Sequence, residues 1–317
     1  MCEIHWYVLF FAFVLDFIVG DPRWLPHPVV GMGAAISWFE PRFRRWISNP
    51  FFSGILFAVF LIISTWALSF GLVRLAVWVH PLLGTGVQVL LLFYCFSATS
   101  LVDAAREVAC PLEAHDIGIA RKKVAMIVGR DTRDLDEAAV IRATVETVAE
   151  NFVDGFLSPL FFTLLFGVPG AMAYKMVNTL DSMVGYKNET YLLFGRASAR
   201  IDDLANFIPA RLSVLVIGLA AFLLSAQRGL SALKTGIVQG RRHKSPNAGY
   251  PEACFAGALG IRMGGPNVYH GKLVDKPYIG GQFLDPDITG IDRACELMLL
   301  ATLIATLAAC GVSLLFV

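Results

Sequence analysis

Between Tyr174 and Arg211 the chain gathers Asn178, Asp181, Lys187, Asn188, Glu189, Arg200, Asp202, Asp203, Asn206 and Arg211 between two strongly apolar segments. Ionisable and amide groups beside bilayer-length apolar runs are costly, and they mark places where a membrane protein binds or transforms something polar. Asp202, Asp203 and Asn206 fall within one helical turn, and Asn178 and Asp181 are three residues apart, so each set can offer oxygens together. Such oxygen sets suit Mg²⁺, which keeps several waters and bridges substrate phosphates. Lys187, flanked by the two sets, suits a phosphate contact. Each pattern alone is weak, because an Asp-Asp pair also favours a helix N-terminus on electrostatic grounds.

Upstream, Arg142, Glu146, Glu150 and Asp154 follow one another at i, i+4, and Glu150-Asn151-Phe152-Val153-Asp154-Gly155 runs directly into an apolar segment. The plainer reading is a solvated helix face with Arg142 paired to Glu146; the functional one is a second acidic cluster at the membrane surface. Downstream, Ser245 to Ala253 is followed by Gly257, Gly260, Gly264 and Gly265. Glycine lets a backbone approach phosphate oxygens, or simply lets helices pack closely in a membrane. Neither nucleotide fingerprint, GxxxxGK[ST] or GxGxxG, occurs. The six cysteines form no CxxC pair and the six histidines no HExxH, so neither a disulfide framework nor a protein-bound transition metal is expected.

The elements that must position these groups are membrane helices. With 56% hydrophobic and 16% charged residues and a mean hydropathy of +0.63, the chain is expected to be an all-α polytopic membrane protein with about 4–6 membrane helices and possible re-entrant segments. Runs 51–73, 82–102 and 297–317 each reach the length needed to cross. A fourth, from Ile4 to Gly20, lacks the basic n-region and cleavage site of a signal peptide and is expected to remain as a first helix. Stretch 156–173, interrupted by Gly167-Val168-Pro169-Gly170, and stretch 207–226, with Pro209 and Arg211 near its start, either cross or dip in and return. Asp134 with Glu137 suggests a capping box opening a helix from 135 to 153. The organisation expected is one membrane-embedded domain, 1–317, with polar inserts at 103–155, 174–206 and 227–294.

Arg23, Arg42, Arg44 and Arg45 follow the first run, while the short turn at 80–81 carries no Lys or Arg. Positive charge marks cytoplasmic loops. The first basic loop is therefore expected inside and the N-terminus outside; the blocks 103–155 and 227–294, rich in Arg and Lys, are both inside if stretches 156–173 and 207–226 cross as a pair or are both re-entrant.

Five long blocks in order carry a resemblance to a known family: Asp16 to Val29, Thr147 to Gly155, Asn178 to Glu189, Ala199 to Arg211, and Ser245 to Ala253 with Gly264-Gly265-Pro266-Asn267. The chain resembles the CobD/CbiB family, the adenosylcobinamide-phosphate synthases of cobalamin biosynthesis. Val30-Gly31-Met32-Gly33 is a small-residue departure from the looser family pattern. The resemblance implies an acid-amine ligase that joins an aminoalcohol, as (R)-1-aminopropan-2-ol O-phosphate, to the free propionate of adenosylcobyric acid, the corrinoid being a substrate. Such amide synthesis runs through an acyl phosphate made from ATP, and asks for Mg²⁺, for cations that absorb developing charge and for a base.

On that basis Asn178, Asp181, Asp202, Asp203 and Asn206 are candidate Mg²⁺ ligands. Lys187 and Arg211 are candidate phosphate contacts, and Glu150 or Asp154 the candidate base. Asp21, His27, Asn151, Asn188, Asn247, Glu252, Gly264 and Gly265 are candidate substrate contacts. An Asp-Pro step at Asp21 also serves merely to set a turn, and His27 serves equally as a packing or capping residue. The resemblance implies a bacterial or archaeal inner membrane with the active site facing the cytoplasm, and partners limited to the two substrates, the bilayer and other late cobalamin-pathway membrane enzymes, without nucleic acid. Two other classes stay open: a corrinoid or small-molecule transporter, and a membrane sensor like the AmpE proteins, distant relatives of the family.

Overall fold

The structure, a computed structural model, describes residues 4–21, 26–269 and 271–315. Cys2, Arg23 and the Pro22–Leu25 part of the first resembling block lie outside the described residues. In chain order the helices are α1 (Trp6–Val19), α2 (Pro28–Trp46), α3 (Pro50–Val79), α4 (Pro81–Phe93), α5 (Ala98–Glu113), α6 (Ile117–Val124), α7 (Glu137–Phe152), α8 (Ser158–Val184), α9 (Arg196–Ala205), α10 (Phe207–Leu224), α11 (Ala226–Gln239), α12 (Gly249–Leu259) and α13 (Thr289–Leu314). Four strands of two or three residues, β1 (Met263–Gly264), β2 (Asn267–Tyr269), β3 (Lys272–Val274) and β4 (Tyr278–Ile279), pair antiparallel as β1 with β4 and β2 with β3. This is an all-α polytopic membrane protein. Five stretches among the described residues, 50–79, 81–113, 137–184, 196–224 and 289–314, are by length and composition apolar enough to cross a bilayer, the second, third and fourth being interrupted at 94–97, at Gly167 and at Asn206.

The ends of these helices follow from local chemistry. Asn49 caps α3 by accepting from the amides of Phe51 and Phe52 at 3.0 and 3.2 Å, with Pro50 in the first turn where its missing N–H costs nothing. Pro81 cannot continue that helix and opens α4, whose amide at Leu82 donates to His80 Nδ1 at 3.2 Å. The outer face of α3 carries exposed Leu56, Ile63, Leu68 and Trp78, as a lipid-facing surface should.

Three sequence expectations need correction. The run 82–102 is not one helix: it stops at Phe93 and resumes at Ala98, because the Ser97 amide and hydroxyl bond to the Gly155 carbonyl, at 3.0 and 3.2 Å, instead of continuing the ladder. The first run forms α1, whose 14 residues reach about 21 Å at ~1.5 Å per residue, short of the ~30 Å hydrocarbon core. The helix expected from 135 is capped by Asp136, which accepts from the Ala139 amide at 2.7 Å, rather than by an Asp134–Glu137 box.

Contacts divide the chain into two compact units. The first takes the chain up to Ser97, Asp154–Asn206 and the residues from Thr306 onward; the second takes Ala98–Val153 and Phe207–Ala305. In the first unit, α3 packs on α2, α4, α8 and α9. Gly54 allows α3 to meet the loop before α9, since a Cβ there would stand 1.9 Å from the Phe194 carbonyl oxygen. The end of α13 docks on the start of α1 through Cys310 Sγ, 3.4 Å from the Trp6 carbonyl oxygen, and through Ser313 to the Ile4 carbonyl. In the second unit α10, α11 and α12 pack together, and α7 lies against α5, α6 and α12 with Val140, Ile141, Val145, Val148 and Phe152 buried. Cys95, Cys110, Cys254, Cys295 and Cys310 are free thiols.

The stretch 156–173 turns back on itself. Asp154 and Asn178 are 24 residues apart, which a straight helix would stretch to about 36 Å, yet Asn178 Nδ2 lies 3.4 Å from Asp154 Oδ2. Phe162 and Tyr174 stack across the fold at 5.2 Å. The reversal sits at Gly167, with φ 70° and ψ −175°, followed by Pro169. This conformation belongs almost wholly to glycine, so Gly167→Ala is expected to cost about 1–3 kcal/mol, read as a lowered denaturation midpoint in detergent. An unchanged midpoint would show that the bend tolerates a side chain. Stretch 207–226, the other undecided segment, forms the unbroken α10.

Candidate functional site

In the first unit the fold-back brings the amide-acid groups together. Asn206 is 2% exposed. Its carbonyl oxygen accepts the Ser158 hydroxyl at 2.6 Å and the Tyr174 hydroxyl at 2.9 Å, and its Nδ2 donates to Asp202 Oδ2 at 3.1 Å. Both lone pairs of that oxygen are therefore used. Asn206, expected as an oxygen ligand, holds Asp202 in place instead. The carboxylates of Asp181, Asp202 and Asp203 lie within electrostatic reach of one another, and Asp154 and Asp202 both lie near the Tyr174 hydroxyl. The other oxygen of Asp202, Oδ1, is buried with no hydrogen-bond partner.

That orphaned oxygen decides what the cluster fits. Among the described residues no three His, Cys, Asp or Glu side chains are gathered closely enough to hold a metal ion by themselves. A nucleotide-bound Mg²⁺ does not require three: it takes one or two protein carboxylates and completes its shell with phosphate and water. Asp202, steered by Asn206 and neighboured by Asp181, Asp203 and the Asn178 amide, is an oxygen set of that kind.

The π-helical turn Val153–Leu157, which carries Asp154, marks the same place, since π-turns concentrate at functional sites. Lys175 joins the neighbourhood, its Nζ donating to the Cys95 carbonyl at 3.3 Å with Asp16, Asp21 and Asp154 in electrostatic reach. His27 Nδ1 accepts the Val29 amide at 3.2 Å and so caps α2, while its Nε2 lies 3.8 Å from Asp21 Oδ1. Burial lowers the His27 pKa against the pull of Asp21. Lys187 and Asn188 lie exposed in the loop after α8, where Asn188 Oδ1 accepts the Tyr191 amide at 3.0 Å.

In the second unit a cavity of about 230 Å³ is lined by Arg130, Glu146, Thr147, Glu150, Asn151, His243, Glu252, Gly264, Asn267, Tyr269 and Lys276, among others. Four of these, Glu150, Asn151, Glu252 and Gly264, were expected from sequence. The i, i+4 pairing of Arg142 with Glu146 was not realised. Glu146 instead pairs with Arg130 and accepts the Gly264 amide at 2.6 Å, while Arg142 reaches Asp285 at 2.8 Å. Burial opposes the Arg130 charge, but Glu146 overcomes it and raises its pKa. Gly264 and Gly265 take positive φ, 73° and 87°, in the turn that delivers that amide. Asn247 and Arg211 meet elsewhere in this unit at 3.4 Å, the guanidinium lying 3.4 Å from the Phe207 ring centroid and 4.6 Å from that of Tyr250. Sequence reasoning missed Arg130, Glu146, His243, Tyr269 and Lys276 as cavity groups. Only Glu146 gave a signal, standing four residues before Glu150.

Glu252 is 4% exposed, and burial, reinforced by Glu146 and Glu150, raises its pKa well above the ordinary 4.5. The folded protein thus keeps a proton that the unfolded chain releases, so this group withdraws stability as pH rises from about 4.5 toward the folded-state value. Glu252→Gln is expected to abolish that loss. The melting temperature of the variant should gain on wild type as pH rises above about 4.5; parallel curves would mean that Glu252 is ionised in the fold.

The sequence comparisons agree with one another. The family described as CobD/Cbib protein matches residues 9–298. "Cobalamin biosynthesis protein CbiB" of Salmonella typhimurium is 46% identical over 310 residues, 95% of this chain and 97% of the relative. "Cobalamin biosynthesis protein CobD" of Klebsiella pneumoniae is 47% identical over 298 residues, 93% of each chain. The protein of that name from Geobacter metallireducens is 48% identical over 308 residues, 95% of this chain and 96% of the relative. No solved structure matches. With the match running from α1 into α13 and through both polar clusters, the chain belongs to the CobD/CbiB family.

Proposed function

We propose that the protein catalyses the amide-forming step of cobalamin biosynthesis in the bacterial or archaeal inner membrane, joining (R)-1-aminopropan-2-ol O-phosphate or a related aminoalcohol to adenosylcobyric acid. The single observation that carries the reading is the Asp202 cluster: a buried carboxylate, oriented by Asn206 and with one oxygen unpartnered, inside a family of cobalamin biosynthesis proteins. In this reading a propionate oxygen attacks the γ-phosphorus of ATP and ADP departs. The amine nitrogen then attacks the acyl carbon, and phosphate leaves as the C–N bond forms. The amine must shed a proton, for which Glu150 or Asp154 is the candidate acceptor.

Mg²⁺, when bound, supplies charge neutralisation at the phosphates. Asp181 and Asp202, with Asn178 and Asp203, would hold it, while Asn206 and through it Ser158 and Tyr174 keep Asp202 from turning away. Lys187 and Arg211 remain the proposed phosphate contacts, and Asp21, His27, Asn188 and Asn247 proposed substrate contacts. The reading places the basic blocks and the substrates on the cytoplasmic side. Purified protein given adenosylcobyric acid, aminopropanol phosphate, Mg²⁺ and ATP should form cobinamide phosphate and ADP together. Corrinoid uptake into vesicles without product would replace the enzyme reading with a transporter.

A further inference from the structure

The second-unit cavity holds more hydrogen-bond donors than the protein itself uses. Lys276 Nζ gives one bond, to the Tyr269 hydroxyl at 2.9 Å, and among the described residues no carboxylate lies within ion-pair distance of it. Arg130 spends one terminal nitrogen on Glu146 and the other on Asn267 Oδ1 at 3.0 Å, leaving N–H groups of its five unspent. His243 Nδ1 accepts the Ser245 amide at 3.0 Å, and its burial lowers the pKa, so the neutral ring carries its proton on Nε2, the atom 3.9 Å from Glu252 Oε1. Glu252, protonated through burial, adds a hydroxyl donor. Four residues that bear N–H or O–H groups along one cavity, two of them cationic, call for an oxyanion with several acceptor oxygens.

The space is small. At about 230 Å³ it falls below the roughly 300–1,000 Å³ of sites that enclose drug-sized ligands. A corrinoid or an intact nucleoside triphosphate does not fit inside; a phosphate ester of a few carbons does. Glu150 and Glu146 line the same cavity, so a cationic end on that ester would meet a carboxylate on the wall.

We propose that this cavity is the binding site for a small phosphomonoester bearing an amine, its phosphate taken by Lys276 and Arg130 and its amine directed toward Glu150. The assignment deepens the reading above by placing the small phosphorylated substrate, and rests on it for the identity of the natural ligand, though not for the binding chemistry. Tyr269 is then a positioning residue that holds the Lys276 ammonium in the cavity.

The test is binding alone, on the full-length protein in nanodiscs without Mg²⁺, ATP or corrinoid, by calorimetry. O-phosphoethanolamine is the probe, with inorganic phosphate, ethanolamine and ATP as comparisons. The expected order is O-phosphoethanolamine tightest, phosphate weaker, and no measurable binding of ethanolamine or ATP. Lys276→Met should weaken the probe at least tenfold with an unchanged ligand-free melting temperature, Lys276→Arg should recover most of that loss, and Tyr269→Phe should weaken it a few-fold. No binding of the probe at millimolar concentration, undiminished binding to the Met variant, or displacement of the probe by ATP would each overturn the site. Probe binding with no amide synthesis in the full assay would leave the site standing and remove the reaction.

Discussion

Asp202→Asn is expected to lower amide synthesis at least about a hundredfold, some 2.7 kcal/mol of transition-state stabilisation at ~1.36 kcal/mol per decade, with expression and membrane insertion near wild type. The change is isosteric. An amide oxygen at the Oδ2 position still accepts the Asn206 Nδ2 proton that now lies 3.1 Å away, so the local frame with Ser158 and Tyr174 survives. What disappears is the charge that a divalent cation needs. The loss should fall in turnover and in the Mg²⁺ requirement rather than in the melting temperature, which separates a ligand from a packing residue. A variant that supports cobalamin-dependent growth as wild type does would sink the assignment and leave the Asp202-Asp203 pair as a helix-end electrostatic feature.

Glu146→Ala should produce the largest loss of stability, about 3–5 kcal/mol from stranding the Arg130 guanidinium, since the paired side chains are only 11% and 6% exposed. The Gly264 amide, which donates to Glu146 at 2.6 Å, loses its acceptor in the same substitution and adds roughly 1–3 kcal/mol if it stays buried. Glu146→Gln keeps the shape and an acceptor, and should cost less. Arg130→Met combined with Glu146→Leu should recover much of the loss, because the pair must first repay its own desolvation. Urea denaturation in detergent would show these differences as midpoint shifts. A cost below about 1 kcal/mol for Glu146→Ala would mean that the pair behaves as an exposed one.

The membrane class and most helix positions were legible because they rest on local signals. Pro50 and the His80-Pro81 step fix both ends of α3, and Gly167-Val168-Pro169-Gly170 announces the reversal inside α8. The break between α4 and α5 was not legible. Phe93-Tyr94-Cys95-Phe96 is as apolar as the helix before it, and the cause, Ser97 bonding to Gly155, lies 58 residues away in sequence. The same limit governs the clusters. Asn178 with Asp181, and Asp202 with Asn206, show themselves by helical spacing, whereas the Arg130–Glu146 pair and the approach of Lys276 depend on loops that carry no period. The shift of the α7 cap from Asp134 to Asp136 has a simpler cause: the sequence offers two acidic caps within one turn, and only the later one reaches a free amide.

The reversal at Gly167 also constrains how the chain is built during synthesis. The arm after the bend is about 25 Å long at ~1.5 Å per residue, short of the ~30 Å hydrocarbon core, so it cannot be threaded through the bilayer as a self-sufficient span. Where the backbone turns, its carbonyl and amide groups leave the helical ladder, and exposure of such groups to lipid costs several kcal/mol each. The hairpin must therefore be received by protein rather than by lipid. Of its partners α2, α3, α4 and α9, the first three precede it in sequence and only α9 follows, so a translating ribosome delivers most of the receiving surface first, and α9 closes on the hairpin afterwards.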